Sequence, residues 1–474
     1  MGTTLSFLIS LALLLGSLCA EYGLATPPAL AQSANVCGNA LVKPPTITST
    51  PPLLPNFTNN NGPIDCYMWQ TFINLTWPAQ QGVQPDPNAH YGQGGMTVWE
   101  SFLPYDQVFL PGGEKPQPWP KSMLSSEAIP SDNIRRLKSK NMIFRKDISP
   151  QPTKLAPKIL SRIGLARLVN LFYSSSPQDS LLRETQQTDG NVLYDQNKNP
   201  VYYEMLLNKY AYDYIVSNNL YESGAQYTFA KDKGIALPAG SVEIKAAWKI
   251  LQNSEAQSGR FHTAKAFIDA QSIPVTVGLV GMHIFARPSD DSFKQGFWAT
   301  FAHIDNSPYK VAQPGKTYSF YNPACSPEDC PVNDPKTNPS QVMQAFQVDS
   351  YAHPVNTYTQ QLIATNNPNN PWQNYQLLNV QWPQSSSNDI GQPAKTTPLS
   401  SGSPNTSTLM NPVMETFLQQ SKYSCLYCHV NAKAARPSGV SNPKDYASSL
   451  SFLFGHAQSN SDISLSKNKT SPSE

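Results

Sequence analysis

Pro274-Val275-Thr276-Val277-Gly278-Leu279-Val280-Gly281-Met282-His283-Ile284-Phe285 decides how this chain is read. Val275, Val277, Leu279, His283 and Phe285 alternate with Thr276, Val280, Met282 and Ile284. Both faces of an extended strand are then apolar, which places the strand inside a sheet covered on both sides. A histidine on such a strand needs a hydrogen-bond partner or a metal, so His283 is the first residue to place. Met282 falls on the opposite face.

Working outward, residues 242–251, 262–268 and 297–304 read as further strands, the last reached through a short polar loop. The connections are too short for helical crossovers, so the strands are expected to pair antiparallel. Residues 375–380 form another strand before Trp382-Pro383. Helical spacing runs over 67–75, ended by Trp77-Pro78, and over 203–220, with Leu206, Leu207, Tyr210, Tyr214 and Ile215 on one side. Basic amphipathic helices are expected near 132–140 and 156–173. The expected fold class is α+β: an antiparallel β-sheet core with flanking helices and long irregular loops, then a short C-terminal helical segment. Residues 32–61 and the Pro-rich 104–130 belong to the irregular part. A body over 32–383 is followed by a Ser, Pro and Thr linker over 384–407, a segment over 408–456 and a polar tail over 457–474 expected to be disordered.

Charged residues make up 14% of the 474 residues, well below the roughly 25% of an average soluble protein. Net charge is +2, which offers nothing to nucleic acid or an anionic membrane. One stretch differs: Arg135, Arg136, Lys138, Lys140, Arg145, Lys146, Lys154, Lys158, Arg162 and Arg167 face a single acid, Asp147. It reads as a solvated helix face or a docking patch for an acidic partner.

Residues 5–18 are an apolar core of signal-peptide length, shorter than the roughly 20 residues that span a bilayer. Ala29-Leu30-Ala31 supplies a cleavage pattern before Gln32, with Ala25 as a second site, so 1–31 is taken as an export signal. No Lys or Arg precedes the apolar core, and Leu18 before Cys19 does not suit a lipid-anchor motif. The expectation is a periplasmic or secreted protein with no membrane span.

Seven cysteines are present, one inside the signal. The others group by spacing as Cys37 with Cys66, Cys325 with Cys330, and Cys425 with Cys428. In an oxidising compartment the first two pairs read as disulfides. The third differs: Ser424-Cys425-Leu426-Tyr427-Cys428-His429 contains C-x-x-C-H, the haem c attachment pattern. Two thiols at this separation reach the two vinyl groups of one haem, and the following histidine, His429, becomes the proximal ligand of the iron. A four-thiolate zinc site with Cys325 and Cys330, and a redox dithiol, are the alternatives.

No methionine follows His429, so a sixth ligand must come from upstream or from His456. His283 is the first candidate, with Met282, His303 and His456 behind it. Met410, Val413, Met414, Phe417 and Leu418 follow helical spacing and read as a buried face. His90, His262 and His353 read as loop or surface residues.

Several blocks resemble a bacterial group of large single-haem cytochrome c family proteins of undefined role. They are Trp69-Gln70-Thr71-Phe72 with Leu75 and Trp77-Pro78; Val242-Glu243-Ile244-Lys245-Ala246-Ala247-Trp248; Val280-Gly281-Met282-His283-Ile284; and Trp298-Ala299-Thr300-Phe301 with His303 and Asp305-Asn306. Tyr321-Asn322-Pro323 with Cys325 and Cys330, and Met414-Glu415-Thr416 ahead of Ser424-Cys425, are similar too. The resemblance implies one folded unit joining the sheet and the C-terminal segment. It carries over only Cys425, Cys428 and His429 as functional residues.

Three functions follow as expectations. The first is an electron carrier with one covalent haem c and a redox protein partner. The second is an oxidoreductase whose large body binds a small-molecule substrate, with Glu243, Asp305 and His303 as the polar residues to inspect; structural ion pairs are the competing reading of the two acids. The third is a haem that binds a gas or peroxide.

Overall fold

The computed structural model describes residues 36–38, 41–54, 61–80, 84–120, 185, 187–266, 275–288, 296–383, 409–419 and 423–459. The export signal, the basic helices near 132–140 and 156–173, the linker and all but the start of the tail lie outside them.

Seven strands make one antiparallel sheet: β1 (Leu103–Pro104), β2 (Tyr202–Leu207), β3 (Val242–Ile250), β4 (Thr263–Ala266), β5 (Val275–Ala286), β6 (Phe297–His303) and β7 (Tyr375–Gln381). They lie in the order β1-β2-β3-β5-β6-β7, with the short β4 beside β5. The fold is α+β, as expected, with long irregular loops between its elements.

The sheet has two unlike sides. On one, helix α1 (Asn61–Leu75) and helix α4 (Ala352–Asn366) cover Ile244, Met282, Ile284, Phe301 and Leu377. Trp69 and Phe72 meet Phe301 edge-on at 5.1 Å and stacked at 4.3 Å. Such aromatic contacts add about 0.5–1.5 kcal/mol beyond the area they bury. The other side is covered by helix α2 (Lys209–Ser217), helix α3 (Ser223–Asp232) and the C-terminal segment. There Phe285 and Trp298 of the sheet pack with Leu426, Leu450 and Phe454. The C-terminal segment is therefore part of the sheet's second cover.

Two bulges divide these sides. Ala247 of β3 pairs with Gly281 and Trp248 with Leu279, so Val280 is an extra residue in β5. Its freed carbonyl accepts from Asn306 Nδ2 at 2.7 Å. Before the bulge Val277 and Leu279 face α1; after it Met282 and Ile284 do. Side chains alternate along a strand, so one extra residue moves every later one to the other face. His283 consequently faces away from Leu279, whereas simple alternation had put the two together. In β7, Leu378 is the extra residue: Thr300 pairs with Asn379 and Phe301 with Leu377.

Other expectations need correction. The helix over 203–220 is a strand, β2, followed by α2, because Asn208 caps the helix by accepting from Ala211 N at 3.2 Å. Helix α1 begins at Asn61, earlier than 67, and α4 was not anticipated. Met410, Val413 and Met414 are buried but lie in turns ahead of a single 3-10 turn, Thr416–Leu418. Ala457 and Gln458, assigned to the tail, are docked: Ala457 is buried and Ser223 N donates to the Gln458 carbonyl at 3.1 Å.

Cys37 is bonded to Cys66 and Cys325 to Cys330, while Cys425 and Cys428 are free thiols. Among the described residues no helix is long and apolar enough to cross a membrane.

Candidate functional site

The last helix, α5 (Cys425–His429), is one turn long and starts where Ser424 Oγ accepts from Tyr427 N at 3.1 Å. That turn sets the two thiols on one side and carries His429 to its end. Leu426 lies between them, buried, and its backbone N donates to Gln381 Oε1 at 3.1 Å. Gln381 reaches this side because of the bulge in β7, which keeps Val380 and Trp382 in the opposite core.

His429 is held from one nitrogen. Its Nδ1 lies 2.6 Å from the Leu450 carbonyl, so Nδ1 carries the proton and Nε2 is left with its lone pair. The acceptor is presented by a strained turn: Ser449 and Leu450 both have positive φ, 59° and 60°. Such conformations in non-glycine residues cost of order 1–3 kcal/mol each. Surrounding bonds enforce them: Leu237 N donates to Ser449 Oγ at 3.0 Å, and Ser448 Oγ to the Ser451 carbonyl at 2.7 Å. Ser451 Oγ is 2.7 and 2.9 Å from the two oxygens of Glu243 on β3. Burial, opposed by the Ser451 bond, pushes the Glu243 carboxyl up to about 7. Burial also lowers His429 to about 4, which keeps its imidazole neutral.

His283 faces the same region from β5. It stands in register with Lys245 of β3 and Thr300 of β6. Its Nε2 is buried and makes no hydrogen bond, although Glu415 Oε2 stands 3.4 Å away. Glu415 is fixed by its backbone: its Oε2 accepts from Asn411 N at 3.1 Å, and Asn411 Nδ2 donates to Thr300 Oγ1 and the Phe301 carbonyl, each at 2.9 Å. Burial works to raise the Glu415 carboxyl, but His283, Lys245 and the Asn411 bond together hold it below its ordinary value.

Charges tie these groups into one cluster. His283, Glu415 and Lys245 all act on His429. Burial raises both thiols, first and most strongly, and Glu415 adds to it in each case. His283 keeps 22% and Glu415 13% of its side-chain surface, while Met414, Thr300, Gln381 and Leu450 beside them keep none. Cys425, Cys428 and His429 are likewise half-buried. These polar groups thus keep an open side while their neighbours are closed off.

The other candidates lie elsewhere. His303 faces the α1 side, stacked on Phe261 at 4.1 Å, with Nε2 against the Arg260 carbonyl and Nδ1 accepting from Asp305 N, each at 3.1 Å. Both its nitrogens are spent. Met282 is buried in the α1 core, and His456 lies 4.3 Å from the Tyr105 ring. Asp305 pairs with Arg260 at 2.6 Å and Lys316 at 3.4 Å, the structural role weighed for it. His262 is a correction: it is buried, not superficial, bonded to Glu100 at 2.9 Å and stacked on Trp372 at 4.5 Å. His90 and His353 are exposed as expected. The disulfide between Cys325 and Cys330 removes those thiols from any zinc site with Cys425 and Cys428. Among the described residues no group of three or more His, Cys, Asp or Glu is placed to hold a bare metal ion.

Sequence reasoning missed Glu415 and Lys245. Lys245 had a signal, a cation between apolar residues on an interior strand; Glu415 had only its place in the block Met414-Glu415-Thr416. Compared with known proteins, the chain matches no family model, no curated protein and no solved structure.

Proposed function

We propose that this chain is an exported c-type cytochrome that carries one haem c through Cys425 and Cys428, with His429 as proximal ligand and His283 as sixth ligand. It exchanges single electrons with a redox protein partner outside the cytoplasm. One observation carries the reading: two free thiols and two imidazoles belong to one cluster of interacting groups around Glu415, His429 fixed at Nδ1 and His283 offering a buried Nε2 without a hydrogen bond. Glu415 Oε2, 3.4 Å away, is the carboxylate nearest that nitrogen and makes no well-formed hydrogen bond with it, so Nε2 stays available as a metal ligand. The bound group supplies the one-electron couple, and burial with the ligand set tunes its potential.

The residues of this chain have definable tasks in that reading. Leu450 orients His429 and, through its hydrogen bond, raises the basicity of Nε2. The raised thiols of Cys425 and Cys428 are protonated near neutrality, which suits addition across vinyl groups catalysed by a maturation system rather than spontaneous oxidation. Export is supported by the N-terminal sequence and by two disulfides.

The test is the alkaline pyridine spectrum of the protein made in a host with haem c maturation, together with its reduced-minus-oxidised spectrum. A haem c signal with sharp low-spin bands is expected. His283→Ala should convert the spectrum to high spin, and no bound haem in the wild-type protein would end the reading. Glu415 beside His283 favours one second reading: an imidazole retained by that carboxylate would leave the iron open to a gas or peroxide. Carbon monoxide binding by the reduced wild-type protein would select it.

A further inference from the structure

Among the described residues Lys245 makes no ion pair, although Glu415 acts on it from a distance. It projects from β3 onto the side of the sheet that His283 occupies, in register with it. Its ammonium nitrogen sits 5.2 Å from the centre of the Tyr203 ring. That ring can offer only its face, because the Tyr203 hydroxyl donates to the Val413 carbonyl at 2.8 Å and accepts from Gln187 Nε2 at 3.0 Å. No described carboxylate lies within 4.0 Å of it. Glu415 acts on it from farther away and is turned toward His283 and Asn411 N. Burial lowers the Lys245 ammonium, the sign of an incompletely compensated charge. A half-buried ammonium with no close carboxylate is an anion site in waiting.

We propose that Lys245 binds a carboxylate that the attached haem brings into the site, one of its two propionates. This rests on the function proposed above. The haem is the one reactant in that reading that carries anions, and among the groups that act on His429 and Glu415, Lys245 is the only lysine or arginine. The titratable groups facing Lys245 are Glu415, His283 and His429, with Tyr203 below it and Glu243 farther along its own strand.

The midpoint potential of the holoprotein, followed from pH 5 to 9, separates this pairing from a mere through-space charge. A propionate deprived of its cation binds a proton more readily when the iron is reduced. Lys245→Met should therefore gain a pH-dependent segment absent from the wild type, and Lys245→Arg should restore the wild-type profile. Lys245→Gln serves if the Met variant does not accumulate. Profiles that differ by a constant offset at every pH would overturn the proposal, with haem attachment, and hence the parent reading, still intact. A second arm titrates the wild-type protein with acetate and nitrite. Saturable changes in its spectrum that Lys245→Met abolishes would assign the lysine to a free anion instead and overturn the propionate assignment.

Discussion

The two sides of the sheet use the same strands and the same residue types to opposite ends. On the α1 side the imidazoles are settled: His262 is bonded to Glu100 and stacked on Trp372, and His303 spends both nitrogens on backbone. On the C-terminal side His429 is tethered at one nitrogen only and His283 Nε2 has no hydrogen bond. Burial alone does not distinguish them, since all four are wholly or partly enclosed. What differs is whether the surroundings complete the imidazoles: the α1 side also holds buried oxygens of Asp65 and Thr359 without a hydrogen bond, but the imidazoles with a nitrogen to spare are those on the C-terminal side.

The comparison breaks first at the thiols. Cys425→Ala with Cys428→Ala should abolish covalent haem entirely in denaturing gels stained for haem, while His303→Ala should leave it. Haem retained by the double variant would remove the C-terminal side's claim to be the site. Next in size, Trp69→Ala on the α1 side should cost about 3–5 kcal/mol in urea unfolding, because a fully buried indole leaves a cavity. Haem attachment in the folded variant should be unaffected; loss of attachment without unfolding would mean that the two sides are not separable.

Glu243 sharpens the contrast through pH. Its carboxyl rises from 4.5 to about 7 on folding, so the native state binds the proton more tightly than the unfolded chain. Its stabilising contribution is whole below about 4.5 and is lost as pH climbs through 7. Glu243→Gln should therefore match the wild type more closely at pH 4 and exceed it at pH 8, by at most about 3 kcal/mol at ~1.4 kcal/mol per pH unit. Denaturation curves at the two pH values decide it, and a gain at pH 4 equal to that at pH 8 would contradict the buried-acid assignment. The smallest effect belongs to Gly281, where an added Cβ would stand 2.8 Å from Val413 Cγ2 and 3.4 Å from Met414 Sδ. Gly281→Ala should cost about 1–3 kcal/mol by overpacking and loosen residues 409–419 in hydrogen exchange. Unchanged exchange there would show that this segment is not seated on β5 as described.

Much of the sheet was readable because its strands are long and apolar. The alternation in residues 274–285 located β5, and the short connections made its neighbours antiparallel. C-x-x-C-H marked the candidate site because three residues of two uncommon kinds coincide locally. The remainder was illegible for physical reasons. A strand apolar on both faces gives no phase, so nothing along it reveals that Val280 is supernumerary. Leu206 and Leu207 fit a helix stripe as well as a strand, and only pairing with β3 settles which forms. Glu415 reaches His283 from a loop distant in sequence, and Asn411 bonds that no local pattern encodes fix its position.

The Val280 bulge sets the phase of β5 on its far side. Removing that one residue would leave regular alternation with Val277, Leu279, Met282 and Ile284 still on the α1 side, at the loss of the bond from Asn306 to the Val280 carbonyl; straightening the strand with Val280 kept would instead bring Leu279 and His283 to one face. Substituting Val280 by another aliphatic residue would alter only volume. Leu279 and His283 are an even number of residues apart, so it is the extra residue between them, a matter of count rather than of kind, that turns His283 toward the side of the thiols.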